Sequence, residues 1–148
     1  MINILLCEKS EKWLKNFNEM LLPNMSLIGC VTSGREAKKI LNENKVDAII
    51  INLGIEDCSF FEVIKFIKQE YPRTIILMLV DNQIKIEDYF DSDKEIHKLG
   101  INQTFKKPFP VFNLIKYIAN LYSPDQSNHE TDTRENENEV DRPDKDFT

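Results

Sequence analysis

Four short, mainly apolar runs recur along the first 122 residues, and each is separated from the next by a stretch of mixed character. They cover residues 2–7, 26–31, 47–51 and 74–79, and a shorter, more polar strand is predicted at 102–105. The four apolar runs do not alternate with polar residues, which is typical of strands buried on both faces. Such a sheet needs helices on both sides. The pattern therefore predicts an α/β fold, a five-stranded parallel doubly wound (βα)5 sheet in a single domain.

The stretches between the runs place their apolar side chains on one face of a helix. Helices are predicted at 10–22, from Ser33 onward, at 59–70, within 84–99 and at 109–121. The last of them is predicted to direct Phe112, Ile115 and Ile118 inward. Because ligands of such sheets bind at the carboxyl ends of the strands, functional residues are expected there.

The end of the sequence, residues 123–148, differs in composition from the rest. It holds nine acidic and three basic residues and so accounts for the whole net charge of −6. A segment this polar cannot bury enough apolar surface to offset its ordering entropy. We predict a folded domain over 1–122 and a disordered acidic tail over 123–148. The folded part, with 16 acidic and 16 basic residues, is neutral, which argues against nucleic-acid binding by charge.

Cysteine usage and the lengths of the apolar runs predict where the chain is found. The runs are far shorter than the roughly 18 residues of a membrane span. The N-terminus lacks the pattern of a secretory signal. Three widely spaced cysteines suit neither a disulfide framework nor a zinc site. A cytoplasmic, non-membrane protein is expected, with Cys7 and Cys30 as small buried residues of strands.

Polar residues stand at the predicted strand ends in a recognisable order. Glu8 and Lys9 follow the first strand, Asn52 ends the third, Val80 follows the fourth, and Lys107 precedes a proline after the fifth. Asn52 lies 44 residues after Glu8, and Val80 lies 28 residues after Asn52. In order and spacing, residues 1–122 resemble the receiver domain of bacterial two-component response regulators. The resemblance implies the flavodoxin-like receiver fold.

The resemblance also implies a chemistry that these residues cannot support. In the family, two acidic residues and an aspartate hold Mg²⁺, and the aspartate accepts a phosphoryl group from a histidine kinase. Here Asn52 stands at the accepting position, and its amide lacks an anionic oxygen. Lys9 replaces one of the acidic pair, which leaves Glu8 alone, whereas Mg²⁺ prefers several hard oxygen ligands. We expect a degenerate pseudo-receiver with no cofactor and no bound metal.

Two further positions implied by the resemblance depart from the family. Val80 stands where the family has a hydroxyl residue, and Thr104 stands where it has a switching aromatic. Lys107 matches the family's lysine and is expected either to bind an anion or, preferably, to pair with Glu8. The charges of Glu8, Lys9 and Lys107 sum to +1.

The stretch between Val80 and Lys107 is longer than is usual in the family, at 27 residues. It includes the acidic and aromatic sequence 87–93. Two interpretations of Tyr89 and Phe90 are equally supported: an exposed contact surface, or a pair folded back over the edge of the sheet.

The function predicted first is a non-enzymatic signalling module that works by phosphorylation-independent protein–protein interaction. Its partners would be a histidine kinase or another signalling protein, or a second copy of the chain bound through the fourth and fifth helices. The alternative is an unconventional phosphorelay receiver, still modulated by a histidine kinase, that uses Asp57 or Glu8. An α/β enzyme with a new site ranks third, because no glycine-rich nucleotide motif or nucleophile elbow occurs.

Overall fold

The computed structural model describes residues 1–55 and 60–123 and contains the predicted alternation of strands and helices. The strands are β1 (Ile2–Cys7), β2 (Met25–Val31), β3 (Ala48–Asn52), β4 (Ile75–Val80) and β5 (Gln103–Lys106). The helices are α1 (Glu11–Glu19), α2 (Gly34–Glu43), α3 (Phe60–Glu70), α4 (Asp93–Lys98) and α5 (Val111–Leu121). A single 3₁₀ turn, Ile86–Asp88, precedes α4. The predictions that concern Asp57 and the tail from residue 124 onward lie outside the described residues.

The five strands form one parallel sheet, as predicted, and their order is β2-β1-β3-β4-β5. The register aligns the ends of neighbouring strands. Cys7 is level with Ile51, so the residues that follow them, Glu8 and Asn52, emerge side by side. The order of the strands reverses between β1 and β3, and crevices at such points are where ligands of open α/β sheets bind.

Helices cover both faces of the sheet, which explains the uninterrupted apolar runs. Successive side chains of a strand point to opposite faces. Leu5 and Ile49 therefore pack with α2 and α3, whereas Leu6 and Ile50 pack with α1 and α5. All four side chains are fully buried.

Serine hydroxyls cap three of the described helices, α1, α2 and α4, and on α4 the Ser92 hydroxyl accepts a hydrogen bond from the Glu95 amide. The Ser10 hydroxyl accepts a hydrogen bond from the Trp13 amide, and the Ser33 hydroxyl accepts one from the Glu36 amide. Each satisfies a backbone donor that has no partner inside its helix.

Two predicted core positions are wrong. Phe112 is 47% exposed, because the buried stripe of α5 begins one residue earlier and runs through Val111, Leu114, Ile115 and Ile118. Cys30 is exposed because β2 is an edge strand, whereas Cys7 in β1 is buried as predicted.

Tyr89 and Phe90 divide between the two interpretations. Tyr89 is 45% exposed, whereas Phe90 is only 3% exposed and packs its ring 5.5 Å from that of Phe61 on α3. Neither interpretation describes both side chains, because adjacent residues of this turn face opposite ways.

Among residues 1–55 and 60–123, no helix has the length and apolar character needed to cross a membrane.

We predict that Phe17→Ala lowers the free energy of unfolding by about 3–5 kcal/mol, because Phe17 is fully buried and stacks on Trp13. The matched change Phe112→Ala should alter it by no more than about 0.5 kcal/mol, since that ring is largely exposed. Urea denaturation of both variants measures the difference. Equal losses would contradict the assignment of these two phenylalanines to core and surface.

Candidate functional site

Four polar side chains meet at the carboxyl edge of the sheet. Glu8 follows β1, Asn52 ends β3, Asp81 follows β4 and Lys107 follows β5. Lys107 is brought to this edge by the register, because its amide donates to the carbonyl of Val80 at 2.8 Å. Glu8 and Asn52 are 3% and 6% exposed, so their polar groups depend on one another rather than on water.

The amide of Asn52 links three elements of the fold. Its Nδ2 donates to Glu8 Oε1 at 2.8 Å and to Asp81 Oδ1 at 3.0 Å. Its Oδ1 accepts from the backbone N–H of Gly54 at 2.7 Å. These partners determine the orientation of the amide, because the carboxylates require a donor and the Gly54 N–H requires an acceptor.

Lys107 supplies the positive charge of the cluster. Its Nζ lies 3.0 Å from Glu8 Oε1 and 3.1 Å from Asp81 Oδ1. The same ammonium group lies 5.4 Å from the centre of the Trp13 ring, on the side of α1. The predicted pairing of Lys107 with Glu8 is present in the structure, and a second carboxylate shares it.

Asp81 is the site residue that sequence reasoning missed. Counting 28 residues from Asn52 leads to Val80, but the alternation of β4 sends Val80 into the core with Met78, where it is fully buried. The next residue, at the end of the strand, reaches the cluster instead. Asp81 adds a negative charge, so the charges of Glu8, Lys9, Asp81 and Lys107 sum to zero rather than the +1 counted without Asp81.

The surroundings of Asp81 favour its ionised form. Partial burial raises its pKa, but the hydrogen bonds from Asn52 and Lys107, with the charges of Lys107 and Lys9, outweigh that effect. The pKa of Asp81 is consequently below its usual value.

Two other predicted site residues have different surroundings. Lys9 is exposed and lines a small surface pocket together with Thr32, Gly54 and other residues of the site. Thr104 is partly buried in β5, level with Met78 of β4. The next residue of β5, Phe105, is the one that packs with an aromatic side chain, because its ring lies 5.1 Å from that of Phe109.

The cluster does not present the set of free oxygen ligands that Mg²⁺ requires. Glu8 Oε1 and Asp81 Oδ1 both accept from Asn52 Nδ2 and lie within 3.1 Å of Lys107 Nζ. A hard cation binds oxygen lone pairs, whereas here N–H donors occupy that side of both carboxylates. Within the part of the chain that the structure describes, no three His, Cys, Asp or Glu side chains form a group that could hold a metal.

Comparison with known families identifies the class of protein. Residues 4–119 match the model of the response regulator receiver domain. The chain therefore belongs to the response regulator receiver family, whose domains serve signal transduction in two-component systems. No curated protein sequence matches the chain at a significant level.

Solved structures share the fold at low sequence identity. The REC domain of AraT, a response regulator from Geobacillus stearothermophilus, is 16% identical, with a TM-score of 0.66 over 80% of this chain and 90% of that chain. The isolated REC domain of RcsB from Salmonella enterica serovar Typhimurium, with the phosphomimetic BeF3⁻, is 17% identical, with a TM-score of 0.69 over 86% and 96%. The response regulatory domain of mrkE from Klebsiella pneumoniae is 18% identical, with a TM-score of 0.66 over 81% and 94%. These similarities establish the receiver fold.

The lowered pKa of Asp81 predicts a pH-dependent contribution to stability. A carboxyl group with a lower pKa in the folded state stabilises it above the unfolded pKa, about 3.9 for Asp, and this contribution is lost as the pH falls through the folded pKa. The free energy of unfolding of wild type should exceed that of Asp81→Asn by about 1 kcal/mol at neutral pH. The difference is modest because 33% of the Asp81 side chain is exposed and solvent screens its pairing with Lys107.

Urea denaturation at neutral pH and at a series of acidic pH values measures this difference. Asp88→Asn, which changes an exposed acid after the same strand, is the matched control and should show no comparable difference. A wild-type advantage that persists unchanged to the lowest pH would contradict the assignment.

Proposed function

We propose that this chain is a receiver-type module that signals by protein–protein interaction without phosphorylation and without Mg²⁺. The observation that carries the proposal is the identity of Asn52 and the hydrogen bonds of its side-chain amide. Its amide stands where the family has a phosphate-accepting carboxylate, and both its oxygen and its nitrogen are already hydrogen-bonded.

The chemistry of phosphoryl transfer explains why this arrangement opposes it. An accepting carboxylate attacks phosphorus through an anionic oxygen, and nearby cations neutralise the charge on the transferred group. The Asn52 oxygen is neutral and accepts the Gly54 N–H. The Lys107 ammonium is held between Glu8 and Asp81, so an incoming phosphoryl group would have to displace a carboxylate from it.

The partner is proposed to bind at the face formed by α4, β5 and α5. Phe112, on the first turn of α5, supplies an exposed aromatic side chain. The partner would be a histidine kinase, another signalling protein or a second copy of this chain. Residues 1–122 would form the interacting module, and residues 123–148 would form a separate acidic segment.

We predict that wild-type protein gains no phosphoryl group when incubated with a small-molecule phosphodonor and Mg²⁺. Intact-mass spectrometry measures the mass of one added phosphoryl group. A wild-type chain that gains this mass at a defined residue, such as Glu8 or Asp57, would overturn the proposal in favour of the unconventional phosphorelay receiver.

Two variants calibrate the same experiment. Asn52→Asp alone should incorporate little, because Lys107 can still pair with carboxylates and Lys9 still places a positive charge at the pocket. Asn52→Asp combined with Lys9→Asp should incorporate more, because it restores the set of carboxylates that hard cations prefer.

A further inference from the structure

The segment between β4 and α4, residues 81–92, is attached to the rest of the molecule by polar contacts of Asp81 and Ile84 and by apolar packing of Ile84, Ile86 and Phe90. Asp81 at its start contacts Asn52 and Lys107. The Ile84 carbonyl accepts a hydrogen bond from Lys106 Nζ at 2.6 Å. Phe90 near its end is buried against Phe61. We call this stretch the β4–α4 segment.

These attachments differ in kind. Phe90, Ile84 and Ile86 are held by apolar packing, and the Ile84 carbonyl also accepts from an exposed lysine. The Asp81 contact joins the segment to the buried polar cluster, and it does so through charge. It meets both Asn52 and Lys107, the two groups that also bind the buried carboxylate of Glu8.

The donors of the cluster explain why Asp81 holds this position. Asn52 Nδ2 has two hydrogens, and Glu8 Oε1 accepts only one of them. Without Asp81, the second hydrogen and one side of the Lys107 ammonium would lose the carboxylate that they contact. Burial strengthens such charge-assisted contacts, which are stronger than neutral ones.

We propose that the Asp81 carboxylate is a built-in anion that latches the β4–α4 segment onto the polar cluster. The latch holds the exposed surface of the segment, including Tyr89, in one arrangement without any modification of the protein. The inference rests on the proposed function, because it assigns to an internal carboxylate the place beside Asn52 and Lys107 in a module that is not phosphorylated.

Hydrogen exchange of the full-length protein, read by mass spectrometry, tests the latch. Four backbone amides of the segment donate hydrogen bonds within it, and their exchange reports its opening. They belong to Ile84, Asp88, Tyr89 and Phe90. In Asp81→Asn and Asp81→Ala these amides should exchange about tenfold faster than in wild type, because the loss of charge-assisted hydrogen bonds lowers the cost of opening.

Asp88→Ala is the matched control, because it removes an exposed carboxylate from the same segment. It should leave the exchange of Ile84 near the wild-type rate, and no variant should change the exchange of the Met20 amide, which lies at the end of α1 and opens by local fraying without breaking the Asp81 contacts. If Asp81→Ala does not fold, Asp81→Asn decides, because it keeps the shape of the side chain and removes its charge.

Two results would overturn the latch. One is wild-type exchange of the segment in Asp81→Asn, which would show that charge does not hold it. The other is equal acceleration of the Met20 amide, which would show that the effect of Asp81 is not confined to the segment. The phosphodonor experiment reads covalent change and this one reads motion, so each proposal can fail without the other.

Discussion

The buried carboxylate of Glu8 is the constraint on which the site depends. At 3% exposure it must be neutralised and hydrogen-bonded, because an unpaired buried charge costs several kcal/mol. Lys107 supplies the charge and Asn52 supplies a neutral donor. The Asn52 amide and the Lys107 ammonium each have further hydrogens to donate, and the Asp81 carboxylate accepts from both. Residues at four strand ends therefore meet one another's hydrogen-bonding needs.

Topology brings this cluster together from residues that are distant in sequence. Glu8 and Lys107 lie 99 residues apart, yet parallel strands in the order β2-β1-β3-β4-β5 place their carboxyl ends along one edge. Each member belongs to a different strand, so the cluster ties together the crevice in which ligands of such sheets bind. The receiver fold is retained, and the side chains of Glu8 and Asp81 contact Asn52 at the end of β3.

The sequence was sufficient to predict the fold because burial on both faces leaves a direct mark, namely apolar runs without alternation. It also located Glu8, Asn52 and Lys107, since residues that follow such runs emerge at one edge. Asp81 was missed because spacing identifies a position and not the direction of its side chain, and β4 turns Val80 into the core. Phe112 was predicted to face the core, but the buried face of α5 includes Val111 instead. Packing against the sheet determines which face of the helix is buried, and the sequence pattern left this uncertain by one residue.

Calorimetric titration of wild-type protein with Mg²⁺ tests most directly the claim that internal donors satisfy the pocket. We predict no saturable heat, because the Asn52 amide and the Lys107 ammonium occupy the side of Glu8 and Asp81 that a cation would need. The variant with Asn52→Asp and Lys9→Asp should bind the ion under the same conditions. Saturable binding of Mg²⁺ to wild type with sub-millimolar affinity would contradict the account.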